Sequence, residues 1–129
     1  MAKRKTVIRF DPRILAASND GAEFIEVGGN LLKTLVRKNA DYGSSAFKSP
    51  RLAPWISPYD AVMVRMSDKV ERIENLRRKA RQQSGLRSRR VNMVNESIDD
   101  TALDFAAYAL INVINLRRER DAGKTRKKR

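Results

Sequence analysis

The fold class follows first from the segment NESIDDTALDFAAYALINVINL, residues 95–116. Placed on a helix at about 100° per residue, it has two apolar sides, one with Leu103, Ala107, Ile111 and Ile114 and the other with Ile98, Ala102, Phe105, Ala109 and Leu116. A helix that is apolar on both sides is typical of the middle of a helical bundle. The sequence therefore predicts a central helix that has Asn95 as its N-cap and runs to about residue 118.

Two more long helices are predicted by apolar residues at three- and four-residue intervals. The first covers residues 22–39, and its stripe consists of Phe24, Val27, Leu31, Leu32 and Leu35. Gly28 and Gly29 lie inside this helix and indicate either close packing or a break. The second covers residues 59–83, and its stripe consists of Val62, Met66, Val70, Ile73, Leu76 and Ala80, with Lys69 lying within it.

The segments around these helices are short or irregular. Prolines at positions 50, 54 and 58 predict a long irregular loop over residues 41–58. Asp11 followed by Pro12 is typical of a helix start, so a short helix is expected near residues 13–18, while residues 6–10 fit a short strand or an extended arm. We therefore predict an all-α fold, a helical bundle of three long helices plus short elements, with a long loop after the first long helix.

The composition excludes several kinds of catalysis. The chain of 129 residues has no histidine and no cysteine, so imidazole bases, thiolate nucleophiles, zinc–cysteine sites and disulfides are all absent. Catalysis would have to use carboxylates, Lys, Arg, Tyr, Ser or Thr. The length and the 41% share of hydrophobic residues suit one domain with a modest core.

The net charge of +13 is concentrated in three segments. Residues 1–13, 75–95 and 117–129 carry +4, +7 and +6, so the rest of the chain carries −4. This pattern predicts nonspecific contact with nucleic acid through basic termini around an acidic centre. The predicted organisation is a basic N-terminal arm over residues 1–21, an all-α domain over residues 22–118 and a basic disordered tail over residues 119–129.

Acidic residues of the central helix share one face. Glu96, Asp100 and Asp104 follow each other at four-residue steps, and Asp99 lies at the edge of the same cluster. The early acids suit the positive end of the helix dipole without any ligand. Asp104 lies a full turn further in, where a buried carboxylate needs a cation. Two answers stay open, a metal ion or a salt bridge to one of the cations of the preceding helix, which are Arg65, Lys69 and Arg72.

A second pair of acids lies on the preceding helix. Asp68 and Glu71 have the same three-residue spacing as Glu96 and Asp99, with 24 residues between the two pairs. Two such pairs on antiparallel neighbouring helices can form an oxygen-only cage, which suits Mg²⁺ or Mn²⁺. On the helical wheel Asp68 lies beside the apolar stripe and Glu71 nearly opposite it, which favours Asp68 as a ligand.

Three motifs follow each other along the chain, KNADYG at residues 38–43, RMSDKVER at residues 65–72 and NESIDDTALDFAAY at residues 95–108. In this order they resemble the nucleotide modification associated domain of phage and bacterial proteins, itself similar in pattern to the MazG-like all-α NTP pyrophosphohydrolases. The resemblance covers residues from about 31 to about 116. Ser67 stands where the pyrophosphohydrolase pattern has its first glutamate.

The resemblance implies metal-dependent hydrolysis of a (deoxy)nucleoside triphosphate to the monophosphate and pyrophosphate, in phage nucleotide metabolism or DNA modification. The implied catalytic residues are Asp68, Glu96 and Asp104, and the implied Mg²⁺ or Mn²⁺ ligands are Asp68, Glu71, Glu96, Asp99, Asp100 and Asp104. The metal would neutralise triphosphate charge and activate a water molecule. The implied substrate-binding residues are Lys38, Asp41, Tyr42, Arg65, Lys69 and Arg72, with Tyr42 against the base.

Two other functions fit the same residues. A basic helical accessory protein that binds nucleic acid would explain the charged segments, and its affinity would fall steeply with salt. A nucleotide binder without catalysis would explain Ser67 in place of the acid.

The surroundings of the protein follow from length and hydropathy. No apolar run approaches the length needed to cross a bilayer, so we expect no membrane contact and a location in the cytoplasm, that of the bacterial host if a phage encodes the chain. Three long helices are few for a closed bundle, and related hydrolases complete their cores between chains. A homodimer is therefore expected.

Overall fold

The computed structural model describes residues 7–83 and 91–127, with side chains described for residues 7–82 and 98–127. Over these residues the protein is all-α, as predicted. Its helices are α1 (Pro12–Ala17), α2 (Gly21–Asp41), α3 (Pro58–Gln83) and α4 (Val91–Lys127), with a 3₁₀ helix at Ser45–Phe47 in the loop between α2 and α3. Among the described residues no helix is long and apolar enough to cross a membrane.

The first helix begins as the sequence predicts. The Asp11 side chain accepts a hydrogen bond of 2.9 Å from the backbone N–H of Arg13, and Pro12 occupies the first helical position, where a missing N–H costs nothing. The backbone N–H of Ser18 bonds back to Ile14 and Leu15 and ends the helix. Residues 7–10 have no regular secondary structure, so the extended arm describes them better than a strand.

The second helix passes through its glycine pair without interruption. A Cβ atom added at Gly28 or Gly29 would meet nothing within 4 Å, so these glycines mark neither close packing nor a break. The helix ends where Gly43 and Ser44 both adopt left-handed backbone conformations, with φ values of 56° and 60°. The Ser44 N–H then reaches the Asn39 carbonyl at 3.2 Å and closes the helix end.

The described residues form two compact units, one up to Val36 and the other from Arg37 onward, so the boundary falls inside α2. In the first unit Gly21 is buried. A Cβ atom there would lie 3.0 Å from Leu15 Cδ1 and 3.1 Å from Ser18 Cβ, so the close approach of α1 to the start of α2 favours glycine.

The fourth helix is longer than predicted at both ends. It begins at Val91 instead of Asn95 and continues to Lys127 instead of ending near residue 118. The structure is thus helical up to Lys127, where the sequence predicts a disordered tail over residues 119–129. Most residues of this segment are strong helix formers, and the Thr125 hydroxyl donates to the Asp121 carbonyl at 3.1 Å. Exposed cations are well tolerated in a helix, so a high positive charge does not by itself exclude one.

In the second unit α3 and α4 pack against each other along their length. Val62 of the predicted α3 stripe is buried at this contact, and Met66, Ile73, Leu76 and Ala80 are partly buried. The prediction that α4 is covered on both apolar sides is wrong, because Leu103, Ile114 and Leu116 are 39–49% exposed. The face that packs on α3 lies between the two apolar sides, so α3 does not fully cover either of them.

Candidate functional site

A cluster of opposite charges lies where the end of α2 meets α3 and α4. The Asp104 carboxylate of α4 is 2.9 Å from Lys69 Nζ of α3 and 3.9 Å from Lys38 Nζ of α2. The Lys69 side chain is 21% exposed and that of Asp104 41%, so the closer pair is partly shielded from water. Two ammonium groups on one carboxylate leave a surplus positive charge at an accessible position. We call Lys38, Lys69 and Asp104 the two-lysine cluster.

One helical turn along the same contact, a cation meets an aromatic ring. The Arg65 guanidinium lies 6.0 Å from the centre of the Tyr108 ring, at the outer limit of a cation–π contact. On α3, Arg65 lies four residues before Lys69, and on α4, Tyr108 lies four residues after Asp104. The contacts Lys69–Asp104 and Arg65–Tyr108 therefore belong to one antiparallel register of the two helices. The register places the Arg65 cation next to the two-lysine cluster.

Further along the same register, α4 presents two buried asparagines. Asn112 is 5% exposed and Asn115 3% exposed. Asn112 Nδ2 donates to the backbone carbonyl of Tyr59 at 3.3 Å, and Asn115 Nδ2 lies 3.4 Å from the carbonyl of Ala46 and 3.3 Å from Asn112 Oδ1. These bonds attach α4 to the start of α3 and to the 3₁₀ helix, and so hold the frame of the site. Sequence reasoning missed both residues, although amides three residues apart inside an apolar helix are a usable signal.

A second contact fixes the 3₁₀ helix against α4. The Arg118 guanidinium lies 4.3 Å from the centre of the Phe47 ring, close enough for a cation–π contact. Together with the Asn115 bond it attaches this short helix to α4 at two points. No spacing in the sequence links positions 47 and 118.

The predicted metal ligands do not come together among the described side chains. Asp68 and Glu71 are exposed on α3 and line a shallow groove of about 410 Å³ along that helix with Arg72, Asn75, Leu76 and Lys79. Asp99 and Asp100 are exposed on α4, and Asp104 is held by the two lysines. No group of three acids in the described part of the chain is close enough to hold a metal ion. The Glu96 side chain lies outside the described residues.

The predicted substrate-binding residues divide into two groups. The structure brings Lys38 and Lys69 together at Asp104, with Arg65 one turn away. Asp41 and Tyr42 lie at the end of α2, both exposed, and 69% of Tyr42 is accessible to a partner such as a planar base. Arg72 lies in the groove beside Asp68 and takes part in an interaction of its own.

The fold and site define an all-α protein with a cationic cluster between three helices. Comparison with known protein families, with curated proteins and with solved structures gave no match. The resemblance to the nucleotide modification associated domain therefore stays a prediction.

Proposed function

We propose that this protein is a nucleotide-processing protein that binds the phosphate groups of a (deoxy)nucleoside triphosphate at the two-lysine cluster. The observation that carries the proposal is the sharing of Asp104 by Lys69 at 2.9 Å and Lys38 at 3.9 Å. Charged hydrogen bonds from ammonium groups to phosphate oxygens are stronger than neutral ones. The cluster has one more cation than anion, which favours a polyanionic ligand.

Residues next to the two-lysine cluster also favour a nucleotide as the ligand. Arg65 adds a guanidinium one turn from Lys69, and guanidinium groups bind phosphate through paired N–H donors. Tyr42 is exposed at the end of the helix that carries Lys38, and aromatic rings stack on bases of any sequence. These residues supply contacts for the phosphates and for the base of one ligand.

Hydrolysis with Mg²⁺ or Mn²⁺ is the further part of the proposal, and it comes from the resemblance. Such a metal would supply charge neutralisation and an activated water. The described acids do not form a cage for it, so phosphate binding by the cations is the part that the geometry supports. In this proposal Asp104 occupies both lysines until phosphate oxygens replace it.

One substitution separates binding from hydrolysis. Asp104→Asn removes the carboxylate that competes for Lys38 and Lys69, so a simple phosphate binder should bind triphosphate at least as tightly as wild type. A hydrolase that uses Asp104 should instead lose turnover. Calorimetric titration with a panel of ribo- and deoxynucleoside triphosphates measures the binding affinity. Release of pyrophosphate with Mg²⁺ or Mn²⁺ measures the turnover.

Lys69→Gln should weaken triphosphate binding by about tenfold or more, because one charged hydrogen bond is worth roughly 1.5–3 kcal/mol. The matched control is Lys33→Gln, which removes an exposed lysine of the same helix that carries Lys38. Unchanged affinity in Lys69→Gln, or absence of triphosphate binding by the folded wild type, contradicts the proposal.

Nucleic-acid binding is a second candidate, and a specific observation favours it. The basic C-terminal segment belongs to a helix, so its cations are displayed along one rigid rod, and all are exposed: Arg117, Arg118, Arg120, Lys124, Arg126 and Lys127. Binding of this kind should weaken steeply with salt and should not respond to Asp104→Asn. Anisotropy of a labelled DNA duplex across a salt series measures both properties.

A further inference from the structure

The side of α4 that faces away from α3 carries an apolar stripe. Leu103, Leu110 and Ile114 are 39%, 41% and 40% exposed, and Ala107 lies between them. These four residues follow each other at steps of four, three and four, which is the spacing of the contact line between two paired helices. We call them the outer stripe.

The outer stripe differs from the other exposed apolar residues in its regular spacing along one helix, not in its degree of exposure. Among the described residues Val62 is the one large apolar side chain that is buried. Apolar side chains in a continuous exposed row mark interaction sites on proteins. The row lies on a single helix, so a second helix can pack along it.

The residues at the two ends of the outer stripe carry opposite charges. Three residues before Leu103, at the next position of the same spacing, lies Asp100, and three residues after Ile114 lies Arg117. Both are exposed. Two copies of a stripe that begins with an acid and ends with a base have matching charges when they lie antiparallel.

The order of these charges favours a second copy of α4 as the partner, in the antiparallel direction. When a second α4 lies antiparallel, Leu103 faces Ile114, Ala107 faces Leu110, and Asp100 faces Arg117 at both ends. A parallel copy would place Asp100 against Asp100 and Arg117 against Arg117. The small Ala107 at the centre lets the two helices approach closely.

We propose that the outer stripe is the contact surface of a homodimer in which the α4 helices of two copies pack antiparallel about a two-fold axis near residues 108 and 109. The pairing buries the outer stripe of each copy and forms two identical Asp100–Arg117 ion pairs. This inference stands independently of nucleotide binding.

The first test is the mass of the full chain in solution, by sedimentation equilibrium at about 0.15 M salt, where repulsion between the basic segments is screened. Wild type should be a dimer. Leu110→Glu should raise the dissociation constant by about tenfold or more, because it places a charge at the centre of the buried contact. The matched control is Leu116→Glu, which alters a leucine of α4 outside the stripe, 49% exposed against 41% for Leu110, and should leave the dimer intact.

The second test addresses direction, and it uses the absence of cysteine in the chain. A mixture of Leu103→Cys and Ile114→Cys chains should form a mixed disulfide dimer under mild oxidation, whereas each variant alone should not. Asp100→Arg and Arg117→Asp should each weaken the dimer, and the double variant should restore it. Circular dichroism at 222 nm verifies that every variant is helical.

A wild type that sediments as a monomer overturns the proposal. So does a dimer that tolerates Leu110→Glu, because the contact then lies elsewhere. Disulfide formation by Leu103→Cys alone would show parallel pairing and would overturn the proposed arrangement.

Discussion

Lys69 Nζ lies 2.9 Å from Asp104 Oδ2, across the contact between α3 and α4. This pair answers the question that the sequence leaves open, namely how a carboxylate inside an apolar helix is compensated. Of the three cations named as candidates, Lys69 is the one that reaches Asp104, and Lys38 adds a second, longer contact at 3.9 Å. The two ammonium groups thus compensate the carboxylate within the protein.

The two contacts of Asp104 should differ in strength. Lys69 is mostly buried and close, whereas Lys38 is 58% exposed and distant, so solvent weakens its attraction. A double-mutant cycle of Lys69→Met with Asp104→Asn should give a coupling of about 1 kcal/mol, and the same cycle with Lys38→Met less than about 0.5 kcal/mol. Urea unfolding measures both cycles. Equal couplings would show that the distances in the cluster do not set its energetics.

The buried asparagines should contribute to stability. Asn112→Leu and Asn115→Leu remove the side-chain donors to the carbonyls of Tyr59 and Ala46. Each substitution should lower the free energy of unfolding by about 0.5–1.5 kcal/mol, the net contribution of a hydrogen bond. Asn30→Leu changes an exposed asparagine of α2 and should stay within about 0.5 kcal/mol of wild type. A neutral Asn112→Leu would mean that its bond to the Tyr59 carbonyl adds no net stability.

Two glycines of α2 should respond to alanine in opposite ways. Gly28 has open space around its missing Cβ, so Gly28→Ala should stabilise the helix by about 0.5–1 kcal/mol through backbone entropy. At Gly21 the new Cβ would lie 3.0 Å from Leu15 Cδ1, so Gly21→Ala gains nothing or destabilises the contact with α1. Thermal unfolding followed at 222 nm distinguishes the two. Stabilisation by Gly21→Ala would show that Leu15 moves away without cost.

The contact between Arg118 and Phe47 should hold the 3₁₀ helix against α4. With 4.3 Å between the guanidinium and the ring centre, Arg118→Gln and Phe47→Leu should show a coupling of about 0.5–1 kcal/mol. Arg120→Gln, which alters a neighbouring exposed arginine of the same helix, should show no coupling with Phe47→Leu. The same urea experiment provides these values. A coupling near zero would show that the contact between Arg118 and Phe47 does not contribute to stability.

Local signals in the sequence located the helices. The apolar spacing located the three long helices, and Asp11 with Pro12 located the start of the short one, because these signals act within a few residues of each other. The lack of histidine and cysteine fixed which chemistry the chain can use. The sequence predicts α4 from Asn95 to about residue 118, whereas the helix begins at Val91 and continues to Lys127. Local charge and a single capping residue do not decide where a packed helix begins and ends.

Which side chains meet depends on the packing of one helix against another. Periodicity showed two apolar sides of α4, but the face that packs on α3 lies between them and contains Thr101, Asp104, Tyr108, Asn112 and Asn115. The choice of Lys69 for Asp104, and of the Tyr59 and Ala46 carbonyls for the asparagines, depends on the axial offset and rotation of one helix against another. That offset comes from the sum of many contacts along both helices, and no short stretch of sequence contains it.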